Sequence, residues 1–200
     1  MTEQIAGRRV VTNMALSLDG HYAAPDNPVD MGWVMPYAVT DVARDHLTSL
    51  WEPATTALLG RVNAEGFLGF WPTVIGMEGV DPRDEGFAKW LVDADKVVLS
   101  STLDEAPWER TTIVDKPAAE VVADLRATEG GDILVLSSAS VVKALLAADE
   151  VDRLALTIFP VFLGGGPRLF DDGLPARQWT LVSQTAGEHG TLALVYDRVR

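Results

Sequence analysis

Ile133-Leu134-Val135-Leu136-Ser137-Ser138-Ala139-Ser140-Val141-Val142 changes character halfway along. Its four apolar residues suit a short strand buried on both faces. The small residues after them lead into Val141, Val142, Leu145 and Leu146, one face of a helix from about Ser140 through Ala148. A strand feeding a helix through so short a turn is the repeating unit of an α/β layer structure. At the junction, free backbone N–H groups and the positive end of the helix dipole make an anion site. Ordinary N-capping by Ser138 or Ser140 is the competing reading.

The same alternation extends outward in both directions. Strand-like segments are Arg9–Leu16, Thr56–Leu59, Lys96–Ser100, Thr111–Val114, Asp132–Leu136 and Arg153–Phe159. Two more, Trp179–Thr185 and Thr191–Val199, follow with only Glu188-His189-Gly190 between them, which reads as a hairpin connection. A helix opens at Pro117 with Ala118, Val121, Val122 and Leu125 on one face, and Gly130-Gly131 suits a left-handed C-terminal cap. Further helices are expected over Asp41–Leu50, with Thr40 as N-cap, over Val62–Gly69 and over Pro82–Val92. The pattern predicts a single α/β domain over residues 1–200 that closes with an antiparallel pair. Its two long irregular stretches, Ser17–Pro36 and Trp71–Val80, are the places to look for specificity.

Composition narrows the chemistry. With 48% apolar and 22% charged residues, the chain is ordinary for a soluble protein, and no apolar run is long enough for a membrane span. Sixteen Lys and Arg against 29 Asp and Glu give a net charge of −13, which argues against a nucleic-acid partner. The start, Met1-Thr2-Glu3-Gln4, lacks the features of a secretory signal, and a cytoplasmic location is expected. Cysteine is absent, so disulfides and thiol catalysis are excluded. The three histidines, His21, His46 and His189, are widely separated, so no metal site is expected. No nucleophile elbow, Walker A sequence or GxGxxG fingerprint is present.

Four strand ends remain. Ser17-Leu18-Asp19-Gly20 leaves the first strand; it is either a plain tight turn or a carboxylate and a glycine at a pocket mouth. In Leu58-Leu59-Gly60-Arg61, glycine admits a close approach and the arginine fork suits a phosphate, the alternative being a surface Arg after a turn. Ser100-Ser101-Thr102 brings three hydroxyls to the end of another strand, and Ser138–Val141 is the junction quoted above. In open α/β sheets ligands sit outside the carboxyl ends of the strands. A dinucleotide across those edges accounts for the whole set.

In this order, these motifs, followed by Phe159-Pro160-Val161-Phe162-Leu163-Gly164-Gly165-Gly166-Pro167-Arg168-Leu169-Phe170, resemble the dihydrofolate reductase-like superfamily. The nearest branch is similar to the reductase domain of the bifunctional riboflavin-biosynthesis deaminase–reductase and its stand-alone relatives, from about Val10 to Val199. The resemblance implies a three-layer fold: a central, mostly parallel sheet with antiparallel C-terminal strands, and helices on both faces. It also implies an NADPH-dependent reductase that transfers a hydride to a C=N or C=O bond of a small heterocycle.

By the same resemblance, Gly60, Arg61 and Val62 lie near the adenosine end, with Arg61 on the 2′-phosphate and Ser100, Ser101 and Thr102 beside it. Ser138, Ala139, Ser140 and Val141 hold the pyrophosphate. Ala15, Leu18, Gly20, Phe159 and the turn with Gly164 and Gly165 flank the nicotinamide. For the proton, Asp19 is the first candidate and Asp41 the second, with Asp45 one helical turn further; support of a helix N-terminus is the alternative for Asp41. Trp33, Tyr37, Trp71 and Phe159 either stack on a flat substrate or belong to the core.

Asn63 where a dihydrofolate reductase usually has Thr, and Ser137-Ser138 in place of its Gly-Gly, point away from a folate-dedicated enzyme. The deaminase half, whose zinc motif needs cysteines, is missing. A flavin-binding reductase and a non-catalytic cofactor-binding protein stay open as alternatives. Relatives suggest a homodimer in which the C-terminal strands, with Leu192, Leu194 and Val195, pair across a two-fold axis.

Overall fold

Alternate residues of the central strands feed two separate cores. The structure is a computed structural model, and it describes residues 7–27 and 31–200. The opening Met1-Thr2-Glu3-Gln4 and residues 28–30 of the first long loop lie outside the described residues. Ile133 and Val135 join Met14 and Leu58 on one face of the sheet, whereas Leu134 and Leu136 join Val11 and Leu59 on the other. A sheet apolar on both faces needs a helical layer on each.

The strands are β1 (Val10–Ser17), β2 (Ala54–Gly60), β3 (Asp95–Leu99), β4 (Thr111–Val114), β5 (Asp132–Leu136), β6 (Arg153–Phe159), β7 (Trp179–Ala186) and β8 (Leu192–Arg198). They form one sheet in the order β4-β3-β2-β5-β1-β6-β8-β7. β4 through β6 in that order pair in parallel, and β8 is antiparallel to both β6 and β7. The helices are α1 (Met35–Ala38), α2 (Asp41–Trp51), α3 (Arg61–Phe70), α4 (Pro82–Asp93), α5 (Ala118–Arg126) and α6 (Ala139–Ala147). α5 and α6 cover one face through Val121, Val122, Val142 and Leu145. α2, α3 and α4 cover the other through Leu50, Leu68, Phe87 and Leu91. This is the three-layer α/β arrangement that the resemblance implies, with the antiparallel closure expected from the last two strands.

Local chemistry differs from the sequence expectation at several points. Thr40 stands at the N-cap of α2, but its hydroxyl donates to the Tyr37 carbonyl (2.6 Å) instead of capping the helix. α5 ends at Arg126, well before Gly130-Gly131, which therefore is not its cap. Gly130 has φ +153, outside the left-handed helical well. These glycines answer to crowding: a Cβ on Gly131 would stand 2.2 Å from the Pro53 carbonyl oxygen, and one on Gly130 would meet the Arg8 guanidinium at 2.9 Å. Arg8 is buried there, donating to the Gly131 carbonyl (2.8 Å) and to the hydroxyls of Thr128 (3.0 Å) and Thr55 (3.1 Å).

The C-terminal strands differ as well. β8 is hydrogen-bonded along both edges, Val195 is buried and Leu194 packs against the core, so Leu192 alone of the three residues named for dimer pairing stays exposed. The free edge on that side of the sheet is β7, whose Leu181 and Val182 are exposed.

Gly131→Ala is expected to lower the unfolding free energy by about 1–3 kcal/mol, because the added methyl forces the Pro53 carbonyl to move. Urea denaturation of the two proteins measures it; a loss under about 0.5 kcal/mol, the usual scatter of neutral surface changes, would contradict the crowding argument.

Candidate functional site

Two adjacent strands send their helices to opposite faces of the sheet. β2 runs through Gly60 into α3, and β5 runs through Ser137 and Ser138 into α6. A crevice opens where the chain diverges in this way, and it is the preferred ligand position of open α/β sheets. Here it is a cleft of about 430 Å³.

Neither helix has a side-chain cap. The Ser138 hydroxyl, one candidate for that task, instead donates to the Leu136 carbonyl (2.9 Å) and accepts from the Gly60 N–H (3.0 Å). It thereby stitches the ends of β2 and β5 together and leaves α6 without a side-chain cap, while Gly60 at the N-cap of α3 has no side chain to offer. Two positive dipole ends thus converge on one cleft. A Cβ on Gly60 would stand 3.5 Å from the Ser140 hydroxyl and the Val141 methyl, between the two helix starts.

Nine of the residues expected at the cofactor line this cleft: Gly60, Arg61, Val62, Ser100, Ser101, Thr102, Ser138, Ser140 and Val141. Ala139 packs beneath it in the core. The Arg61 guanidinium is 44% exposed and pairs with the Glu65 carboxylate at 2.9 Å. Lys116, which the sequence reading missed, lines the opposite wall after β4 and pairs with Asp124 at 3.0 Å. Its signal was faint: a lone cation one residue before the helix-opening Pro117.

A second cavity of about 400 Å³ adjoins the cleft, and Asn63 lines both. It lies over the ends of β1 and β6, where Ala15 and Phe159 form its floor, and under α2 and α3. Trp71 lines it too. Trp33 and Tyr37 do not; both are half-buried, and their rings pack on Phe159, edge-on at 5.9 Å and stacked at 5.1 Å.

Leu18, Asp19, Gly20, Gly164 and Gly165 line neither cavity; they form a clasp between the loops after β1 and β6. The Leu18 N–H donates to the Val161 carbonyl (2.9 Å). The Asp19 carboxylate accepts from the Ser17 hydroxyl (2.6 Å) and from the N–H groups of Leu163 (3.1 Å) and Gly164 (2.8 Å). The Ser17 hydroxyl above all, with those two N–H groups, pulls the Asp19 pKa down to about 2. Gly166 is forced to be glycine: φ is +99, and a Cβ would stand 2.3 Å from the Ala23 carbonyl oxygen.

The clasp corrects the expected proton donor, since a carboxylate kept ionised by three donors has no proton to give at neutral pH. Asp41 and Asp45 fare no better. Both are exposed and held by Arg83 of α4, in an ion-pair network between α2 and α4 that also includes Asp81, Arg44 and Asp84. Among the described residues no carboxylate lines the apolar cavity.

His46 does line it. The residue is 7% exposed, and its Nε2 is buried without a hydrogen-bond partner. Burial pushes its pKa down to about 4, so the ring is neutral at pH 7. The sequence carried a signal for it, because His46 stands four residues from both Val42 and Leu50 on the inward stripe of α2.

The comparisons with known proteins agree with this geometry. Residues 8–193 match the family described as the RibD C-terminal domain. The chain belongs to that family. The uncharacterized protein YyaP of Bacillus subtilis is 26% identical over 98% of both chains. Among solved structures, the diaminohydroxyphosphoribosylaminopyrimidine deaminase/5-amino-6-(5-phosphoribosylamino)uracil reductase of Thermotoga maritima superposes with a TM-score of 0.64 at 15% identity, covering 96% of this chain and 57% of that one. Dihydrofolate reductase from Enterococcus faecalis, in complex with NADP(H), superposes with a TM-score of 0.59 at 18% identity, covering 96% and 97%. The structural likenesses establish the fold, and the family match places the chain among RibD C-terminal domains.

A pKa depressed on folding stabilises the clasp above the unfolded-state value near 4, and this contribution is lost as pH falls through the folded value near 2. In a carbon-detected NMR titration, the Asp19 carboxyl resonance is expected to move with a midpoint near 2. A midpoint at or above 4 would show that the three hydrogen bonds do not hold the charge.

Proposed function

We propose that this protein is an NADPH-dependent reductase that delivers a hydride to a C=N or C=O bond of a small heterocyclic compound. One observation carries the reading: two helix N-termini without side-chain caps meet in a cleft with Arg61, Lys116 and a row of hydroxyls, and that cleft opens past Asn63 into an apolar cavity. In a protein of net charge −13, an anionic cofactor requires local cations and N–H donors, and this cleft offers Arg61, Lys116 and the two helix N-termini, with Asp115 the carboxylate among its described lining residues. The E. faecalis relative, of the same fold, is a complex with NADP(H), and the T. maritima relative is named as a reductase.

The first-turn N–H groups of α6, from Ala139 through Val141, would hold the pyrophosphate. Arg61, with Ser100, Ser101 and Thr102, would hold the 2′-phosphate, and Lys116 would add a second cation. Ala15 and Phe159 would place the nicotinamide ring against the apolar cavity, with the clasp of Leu18, Gly20, Gly164 and Gly165 at its edge. Bound there, reduced nicotinamide supplies the hydride and its two electrons; the protein supplies orientation and a dry wall. Among the described residues no carboxylate lines the cavity, and in this reading the heteroatom of the reduced bond takes its proton from solvent.

NADPH is expected to bind at least tenfold more tightly than NADH. Arg61→Ala should weaken NADPH by roughly 10–100-fold, the value of about 1.5–3 kcal/mol for a charge-assisted contact, while leaving NADH nearly unchanged. Calorimetric titration of both cofactors tests this, and equal affinity of the wild-type protein for the two would contradict it.

A further inference from the structure

The apolar cavity is unlike a site for a phosphorylated substrate. No Lys or Arg is among its described lining residues. Every polar side chain it offers is neutral at pH 7: Asn13, Asn63, Ser137, Thr157 and the imidazole of His46. Arg44 and Arg83 are tied to Asp41, Asp45, Asp81 and Asp84, and Arg61 faces the neighbouring cleft.

The rim repeats the pattern. Met31, Met35 and Phe70 are 37%, 58% and 58% exposed on the lining of this cavity. A doubly charged phosphate left among thioethers and an aromatic ring would lose its hydration without gaining a donor, and such uncompensated transfer is strongly unfavourable. A flat uncharged ring loses little water and gains contact with Trp71, Phe159 and the methionines, whose sulfur suits aromatic faces.

We infer that the substrate of this site is an uncharged, planar, largely apolar ring compound without a phosphate, and that the chain does not reduce a phosphoribosylated pyrimidine such as the one in the name of its T. maritima relative. This rests on the proposed reductase function, which it refines. The neutral polar side chains on its described wall, Asn13, Asn63, Ser137 and Thr157, give such a ring hydrogen-bonding groups without giving it a charge.

The test uses the full chain saturated with NADPH, once binding of that cofactor has been measured by itself. Calorimetry then compares 5-amino-6-(5-phosphoribosylamino)uracil with its phosphate-free counterpart, and adds a neutral pterin and a naphthoquinone. At least one uncharged ring is expected to bind tenfold or more tightly than the phosphate ester. Phe70→Arg, at a half-exposed rim position, is expected to improve binding of the phosphate ester at least fivefold by supplying the missing cation. A wild-type protein that binds the ester as well as or better than its phosphate-free twin overturns the inference, as does failure of every uncharged ring to bind. Absence of NADPH binding in the first measurement overturns the reductase reading instead, so the two failures are distinct.

Discussion

The Ser138 hydroxyl holds the site's geometry in place. By accepting from the Gly60 N–H and donating to the Leu136 carbonyl, it fixes the spacing of two parallel strand ends at the point where their helices part to opposite faces of the sheet. A serine at that position would ordinarily cap its own helix. Because it is used between strands, the first turn of α6 has no side-chain acceptor of its own, and Gly60 leaves α3 equally uncapped. The fold therefore delivers two helix dipoles to one cleft at the cost of two local caps.

Charge is distributed to match. The chain carries 29 acidic residues, yet many of them are consumed in pairs that brace the scaffold. Asp152 is buried and accepts from Arg126 and from the Val10 N–H (both 2.8 Å), and the Asp81–Arg83–Arg44 group ties α2 to α4. The exposed cations that remain at the cleft, Arg61 and Lys116, each have a single exposed acidic partner. Pairs of that kind are weak in water and give way readily to a phosphate. The apolar cavity next door has no cation on its wall, so anion binding and ring binding are kept in separate compartments that meet at Asn63.

Much of this was legible in the sequence. The apolar runs at Val10, Leu58 and Ile133 fixed buried strands, and the order of their carboxyl-end motifs pointed to a cleft that nine of those residues do line. What escaped was whatever depends on a partner far away in the chain. Gly130-Gly131 looks like a helix cap until Pro53 and Arg8 arrive beside it. Asp19 looks like an acid at a pocket mouth until the N–H groups of Leu163 and Gly164, more than 140 residues on, close over it. Trp33 and Tyr37 announce an aromatic site, yet neither lines the cavity; Trp33 packs edge-on and Tyr37 stacks on Phe159. His46 could have been found, because a lone polar residue on an apolar helical stripe signals either a satisfied core contact or a cavity wall. The structure decides between them by placing it on the cavity wall.

The most direct test is a crystal structure of the protein grown or soaked with NADPH at millimolar concentration. The account predicts pyrophosphate density against the backbone N–H groups of Ala139, Ser140 and Val141, with the nicotinamide beside Ala15 and Phe159. A cofactor bound elsewhere on the surface, or a cleft holding only water under those conditions, would contradict it.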